Sequence, residues 1–272
     1  MKKGVLFGAL TVFFLVLSCA TNPVTGKKTW ALVPNSEIFA SSYSQYGEFL
    51  KENKVITGTA DAKRVENVGK KIRAAAEKLL KANGTEKVLE GYAWEYKLVD
   101  SKELNAWCMP GGKIVFYSGI LAVTKDDAGM ATVMGHEVAH ALANHGQQRM
   151  SAGLVQQLGA GVAQVAVGGQ SAETQGLVMQ AYGIGTQLGG MLPFSRNHES
   201  EADEIGLTLM AIAGYNPEES VQFWSRMSAA ANGQKPPEIL STHPSDETRI
   251  RNLRKLIPVA KAEAKKFGVI FK

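Results

Sequence analysis

The sequence predicts an α+β fold, mainly helical, with one small β-sheet. Three observations carry this. Several stretches read as helices, whereas Trp94 to Val99 alternates as a strand does and Lys113 to Ser118 reads as a second strand. The hydrophobic content of 45% over 272 residues is enough for a sizeable core. One segment, around His136, is flanked by Ala131, Val133, Met134, Gly135, Val138, Ala139, Ala141, Leu142 and Ala143, which makes it a helix buried on most sides.

At the start, Lys2 and Lys3 precede a largely apolar run from Val5 to Leu17 and then Ser18-Cys19, the layout of a secretory signal. The run is too short for a comfortable membrane span. Val16-Leu17-Ser18-Cys19 resembles a bacterial lipobox, so residues 1–18 read as a lipoprotein signal peptide and Cys19 as the lipidated residue; ordinary cleavage leaving a free thiol is the alternative. Ala20, rather than Asp, after the cysteine resembles the outer-membrane sorting pattern of Gram-negative lipoproteins. That likeness implies a lipid-anchored protein facing the periplasm.

Residues 19–35, with Pro23, Gly26 and Pro34, then read as a tether and extended arm, and residues 36–272 as a single domain. Cys108 is the other cysteine, so there is no disulfide framework. A formal charge of +5, or +3 without Lys2 and Lys3, with no basic run, does not support a nucleic-acid partner.

Ser36 to Lys51 reads as a helix with Ser36 as N-cap. Asp61 to Ala82 is a longer one, apolar at Val65, Val68, Ile72, Ala75, Leu79 and Leu80 and closed by Asn83-Gly84. Trp94 to Val99 alternates as a strand. After the turn at Pro110-Gly111-Gly112, Lys113 to Ser118 is a second strand. Gly111, Gly112, Lys113, Ile114 and Val115 would offer a sheet edge to an extended peptide by strand addition, unless this is an ordinary core hairpin. Thr124 to Asp127 supplies the cap and first-turn acids of the helix carrying His136.

Ser151 to Gly190 is rich in Gly, Ala, Gln and Val, with no apolar run of membrane-spanning length; it reads as one or two helices forming a lid over the site, or a surface for lipid or a partner. Ser195 to Ala213 is a helix with Ser195 as N-cap and Gly214 as its stop. Asn216-Pro217 opens another helix, Lys235-Pro236-Pro237 breaks the chain, and a last helix starts near Ser245.

The chemistry sits in His136-Glu137-Val138-Ala139-His140. On a helix, His136 and His140 lie about 40° apart and Glu137 about 60° beyond His140. Two imidazoles that can ligate zinc therefore converge with a carboxylate that can take a proton from water, the H-E-x-x-H pattern. Such a site needs a third ligand. His145 lies about 140° past His140 on a regular helix and cannot share the metal, so it reads as structural. The better candidate is Glu199, in Asn197-His198-Glu199-Ser200-Glu201-Ala202-Asp203. Asp203, four residues on, shares its face and can hydrogen-bond the far nitrogen of a ligating histidine, whereas Glu201 points elsewhere. A solvated acidic first turn is the plain alternative.

H-E-x-x-H followed by Glu199-x-Glu201-Ala202-Asp203, with Leu192-Pro-Phe-Ser-Arg196, Asn105-Ala...Pro110-Gly-Gly-Lys-Ile114 and Asn22-Pro-Val-Thr-Gly26, resembles the zinc metallopeptidase family that includes HtpX and the prenyl-protein proteases. The nearer likeness is to LoiP- and BepA-like outer-membrane lipoproteins, without the C-terminal repeats of BepA. This implies a zincin-like domain of the gluzincin type, His136, His140 and Glu199 as ligands, Glu137 as base and Asp203 behind the ligands. It also implies that His243 approaches the metal, either stabilising an oxyanion or capping the metal in a latent state, with Arg249 holding its loop.

The function expected is a zinc endopeptidase cleaving unfolded or misassembled envelope proteins, outer-membrane proteins among them. The rival is a chaperone-like, zinc-containing binding lipoprotein that is non-proteolytic, with His243 capping the metal.

Overall fold

The computed structural model describes residues 19–230, 239, 243 and 247–271. The expected signal peptide, the break at Lys235-Pro236-Pro237 and the helix start at Ser245 lie outside these residues. The fold is mainly helical, as the sequence predicts, and carries two small sheets rather than one. Among the described residues no helix is long and apolar enough to cross a membrane.

Strands β1 (Cys19–Thr21) and β2 (Lys28–Trp30) pair antiparallel, so the arm folds back on itself. Helix α1 (Asn35–Glu52) follows Pro34 without a side-chain cap, and Ser36 lies inside it. After β3 (Val55–Ile56), α2 (Ala60–Ala82) is capped by Thr59, whose hydroxyl accepts from the Ala62 amide at 3.1 Å. It buries Val65, Val68, Ile72, Ala75, Leu79 and Leu80 at the expected helical spacing and ends at Gly84, whose φ of +68° suits a glycine.

Strands β4 (Glu95–Val99), β5 (Ala106–Met109) and β6 (Lys113–Tyr117) complete a four-stranded sheet in the order β3-β4-β6-β5. The expected sheet edge at Gly111, Gly112, Lys113, Ile114 and Val115 is therefore corrected. β6 is internal, parallel to β4 and antiparallel to β5. The carbonyls of Gly111 and Gly112 already accept from the amides of Ala93 and Glu95. The turn at Gly111 and Gly112, both with positive φ, folds Ala106–Met109 back along the outside, so β5 holds the edge.

A short α3 (Leu121–Thr124) leads into α4 (Asp127–Leu142), where Asp126 is the cap, its carboxylate accepting from the Gly129 amide at 2.8 Å. Nearly all of α4 is buried, against α2, the sheet and the later helices. Then come α5 (His145–Ala166) and α6 (Ala172–Thr186), packed on each other with Leu158, Val162, Val165 and Leu177 exposed.

A π-turn at Gln187–Met191 runs without a break into α7 (Leu192–Ile212). Ser195 is thus inside a helix and does not cap it. Gly214, with φ of +90°, stops α7, and the Tyr215 amide reaches back to the Met210 carbonyl at 2.9 Å. Helices α8 (Glu219–Ala230) and α9 (Glu247–Lys266) pack over α4 and α7, closing the core.

Candidate metal centre

Helices α4 and α7 touch through glycines. A Cβ on Gly135 would lie 2.7 Å from the Gly206 carbonyl oxygen, and one on Gly206 would lie 2.8 Å from the His136 amide nitrogen. Contact this close places the second half of α7, at Gly206, against the middle of α4.

His136, Glu137 and His140 are all buried on α4. Glu199 reaches them from α7. Its Oε2 is 3.3 Å from His136 Nε2, its Oε1 is 3.3 Å from His140 Nε2, and the two Nε2 atoms are 3.1 Å apart. Ligands about one tetrahedral zinc, at bonds near 2.0–2.1 Å, stand about 3.3 Å from one another. The donor set therefore fits such an ion. His243 joins it: one ligand atom from each of His136, His140, Glu199 and His243 lies within 4.8 Å of the others.

His243 Nδ1 is 2.8 Å from Glu199 Oε2 and 3.1 Å from His136 Nε2, and its Nε2 is 3.5 Å from Glu137 Oε1. Among the described residues, buried Glu137 Oε1 has no hydrogen-bond partner. That leaves a proton acceptor at the rim of the donor set.

Behind His136 stands Asp203, four residues after Glu199, with Oδ1 3.0 Å from His136 Nδ1. Arg249 grips both Asp203 oxygens, Nε to Oδ2 at 2.9 Å and Nη2 to Oδ1 at 2.6 Å. The same guanidinium stacks 3.6 Å from the Trp224 ring centre and donates to the His243 carbonyl at 3.2 Å. It thus ties His243 to the Asp203 side of the site.

These contacts set the charges. Burial and Arg249 press His136 toward neutrality, but hydrogen bonds to Asp203 and Glu199 prevail and raise its pKa from 6.5 to about 9. Burial, with the nearby imidazoles, drives His140 well below its ordinary value. Burial opposes ionisation of Glu199, yet hydrogen bonds to His136, His140 and His243 outweigh it and hold the carboxylate ionised. Asp203 is likewise lowered against its burial, chiefly by Arg249.

His145 and Glu201 carry contacts that the regular-helix argument missed. Asn144 is left-handed, with φ 56° and ψ 33°, so α4 ends there and α5 starts in a new direction. His145 is thereby turned back, its Nδ1 2.9 Å from His140 Nδ1. Its Nε2 is 3.0 Å from Glu201 Oε2. Burial would raise Glu201, but hydrogen bonds from His145 and Thr25 lower it to about 2. The sequence signal for this was Asn144, a residue type that adopts the left-handed conformation.

Residues 66–257 match the sequence profile described as Peptidase family M48. The mitochondrial metalloendopeptidase OMA1 of Saccharomyces cerevisiae is 36% identical over 206 residues, covering 72% of this chain and 56% of that protein. The human mitochondrial metalloendopeptidase OMA1 is 30% identical over 263 residues, 93% of this chain and 49% of that one. The β-barrel assembly-enhancing protease of Escherichia coli is 29% identical over 170 residues, 59% and 34%.

The chain spans about half the length of the curated relatives it matches. The expected location, an outer-membrane lipoprotein facing the periplasm, is corrected by these relatives: those of higher identity are mitochondrial proteins, and the Escherichia coli protease is more distant. The profile match, spanning both the H-E-x-x-H helix and the helix of Glu199, shows that the chain belongs to peptidase family M48.

Proposed function

We propose that the chain is a zinc-dependent endopeptidase with His136, His140 and Glu199 as ligands. The observation that carries this reading is the 3.1–3.3 Å spacing of their donor atoms beside buried Glu137 Oε1, which has no hydrogen-bond partner among the described residues. Bound there, zinc supplies polarisation of the scissile carbonyl and a lowered pKa for the attacking water. Glu137 accepts the proton of that water and returns it to the leaving amine. Asp203, fixed by Arg249, keeps His136 oriented with Nε2 toward the donor set.

An extended substrate pairs with β5, the free edge beside α4. Unfolded or misassembled proteins suit this mode, because pairing through backbone groups requires an accessible extended segment. The name of the Escherichia coli relative points to β-barrel proteins as one such class. Helices α5 and α6, with their exposed apolar residues, serve as a lid that contacts such chains.

A second reading follows from His243. With Nδ1 2.8 Å from Glu199 Oε2 and 3.1 Å from His136 Nε2, its ring would supply the metal with a fourth protein donor in place of water. The chain is then latent, holding clients without cutting them until His243 withdraws.

Metal analysis coupled to a casein-degradation assay, with and without chelator, tests the proposal. One zinc per chain and chelator-sensitive cleavage support it. Cleavage unaffected by removing all divalent metal overturns it.

A further inference from the structure

The Asn22–Lys27 turn has no place in the chemistry above, yet it is tied to a proposed ligand. Asn22 is buried, and its side-chain oxygen accepts from the amides of Val24 (2.9 Å) and Thr25 (3.1 Å). Gly26, at φ +72°, closes the turn, with its amide bonded to the Asn22 carbonyl at 2.9 Å. The Thr85 hydroxyl donates to the Pro23 carbonyl at 2.8 Å and pins the turn to the end of α2.

So held, the Thr25 hydroxyl donates to Glu201 Oε1 at 2.7 Å, while Lys27 Nζ is 3.4 Å from the same oxygen. The other Glu201 oxygen meets His145 Nε2 at 3.0 Å, and His145 Nδ1 meets His140 Nδ1 at 2.9 Å. His145 is fully buried and stacks on His198 with ring centres 4.0 Å apart, so it has little freedom to turn.

The proton assignment along this chain is forced. If His140 gives Nε2 to a metal, its Nδ1 must carry the proton and donate to His145 Nδ1. His145 must then carry its own proton on Nε2, where ionised Glu201 accepts it. Each link has one donor and one acceptor.

We infer that the Asn22–Lys27 turn positions the metal centre by fixing, through Glu201 and His145, the ring orientation and tautomer of His140. His145, Glu201 and Thr25 are positioning residues, since none reaches a substrate. The two ligand histidines thus have separate supports, Asp203 with Arg249 for His136 and the Thr25–Glu201–His145 chain for His140. The inference rests on His140 being a ligand.

The experiment measures zinc affinity by competition with a chromogenic chelator, and visible spectra after cobalt substitution, on the full chain. His145→Phe should weaken zinc binding by about 10-fold or more, the usual effect of removing such a support. Thr25→Val should weaken it several-fold and shift the cobalt bands, with wild-type behaviour restored in Thr25→Ser. Metal-free melting temperatures separate positioning from folding: Thr25→Val and Thr25→Ser should melt alike. If His145→Phe does not fold, the Thr25 pair decides. Wild-type zinc affinity and cobalt spectrum in Thr25→Val overturn the inference. Wild-type affinity in His140→Ala overturns the ligand set itself and the inference with it.

Discussion

Gly135 and Gly206 meet backbone to backbone where α4 crosses α7, and this contact sets the distance between His136 and Glu199. An alanine at 206 would favour the helix by about 1 kcal/mol. Its methyl, however, would stand 2.8 Å from the His136 amide nitrogen and 2.9 Å from the Gly135 carbonyl carbon, and backbone cannot give way as a flexible side chain can. Overpacking costs about 1–3 kcal/mol and decides the sign. Gly206→Ala should therefore lower the melting temperature of the metal-free protein and weaken zinc binding. An unchanged melting temperature contradicts the contact.

Zinc uptake should release a proton at neutral pH. In the metal-free protein His136, with a pKa of about 9, is protonated at pH 7.5. His140, lowered by burial, and Glu199, lowered by its three histidine partners, are not. A ligand must be deprotonated to bind metal, so the His136 proton is displaced. The sign follows: affinity rises as pH increases toward about 9, where His136 loses its proton unaided, and then levels off. Calorimetric titrations at pH 7.5 in buffers of different ionisation enthalpy should give about one proton released. Heats independent of the buffer contradict the assignment.

His243→Ala should raise cleavage of casein while lowering zinc affinity, because the ring shares the donor set with Glu199 and stands beside Glu137. Rates of the two zinc-loaded proteins decide the matter. A faster variant supports capping, whereas a slower one assigns His243 to oxyanion stabilisation.

Much of this was legible where short-range geometry governs. The 3.6-residue period puts His136 and His140 on one face whatever surrounds them, and the same rule aligns Glu199 with Asp203. The α2 core positions follow likewise. One misreading depended on neighbours distant in sequence. Strand order is a tertiary property, and nothing in Lys113–Tyr117 announces that Ala106–Met109 folds outside it; only the unbroken buried run Ile114-Val115-Phe116 marks an internal strand. Ser195 has the residue type of a cap, yet the chain is already helical from Gln187 onward, so Ser195 falls inside the helix. His145 does stay outside the group of possible ligands, but the regular-helix premise fails at Asn144, which turns it toward His140.

The most direct test is Glu137→Gln. Glutamine keeps the size of the side chain and leaves His136, His140 and Glu199 intact but cannot take a proton. With one zinc bound per chain, the variant should lose casein cleavage by about 10²–10⁴-fold relative to wild type, the usual worth of a general base. Wild-type cleavage by zinc-loaded, contaminant-free Glu137→Gln protein contradicts the account.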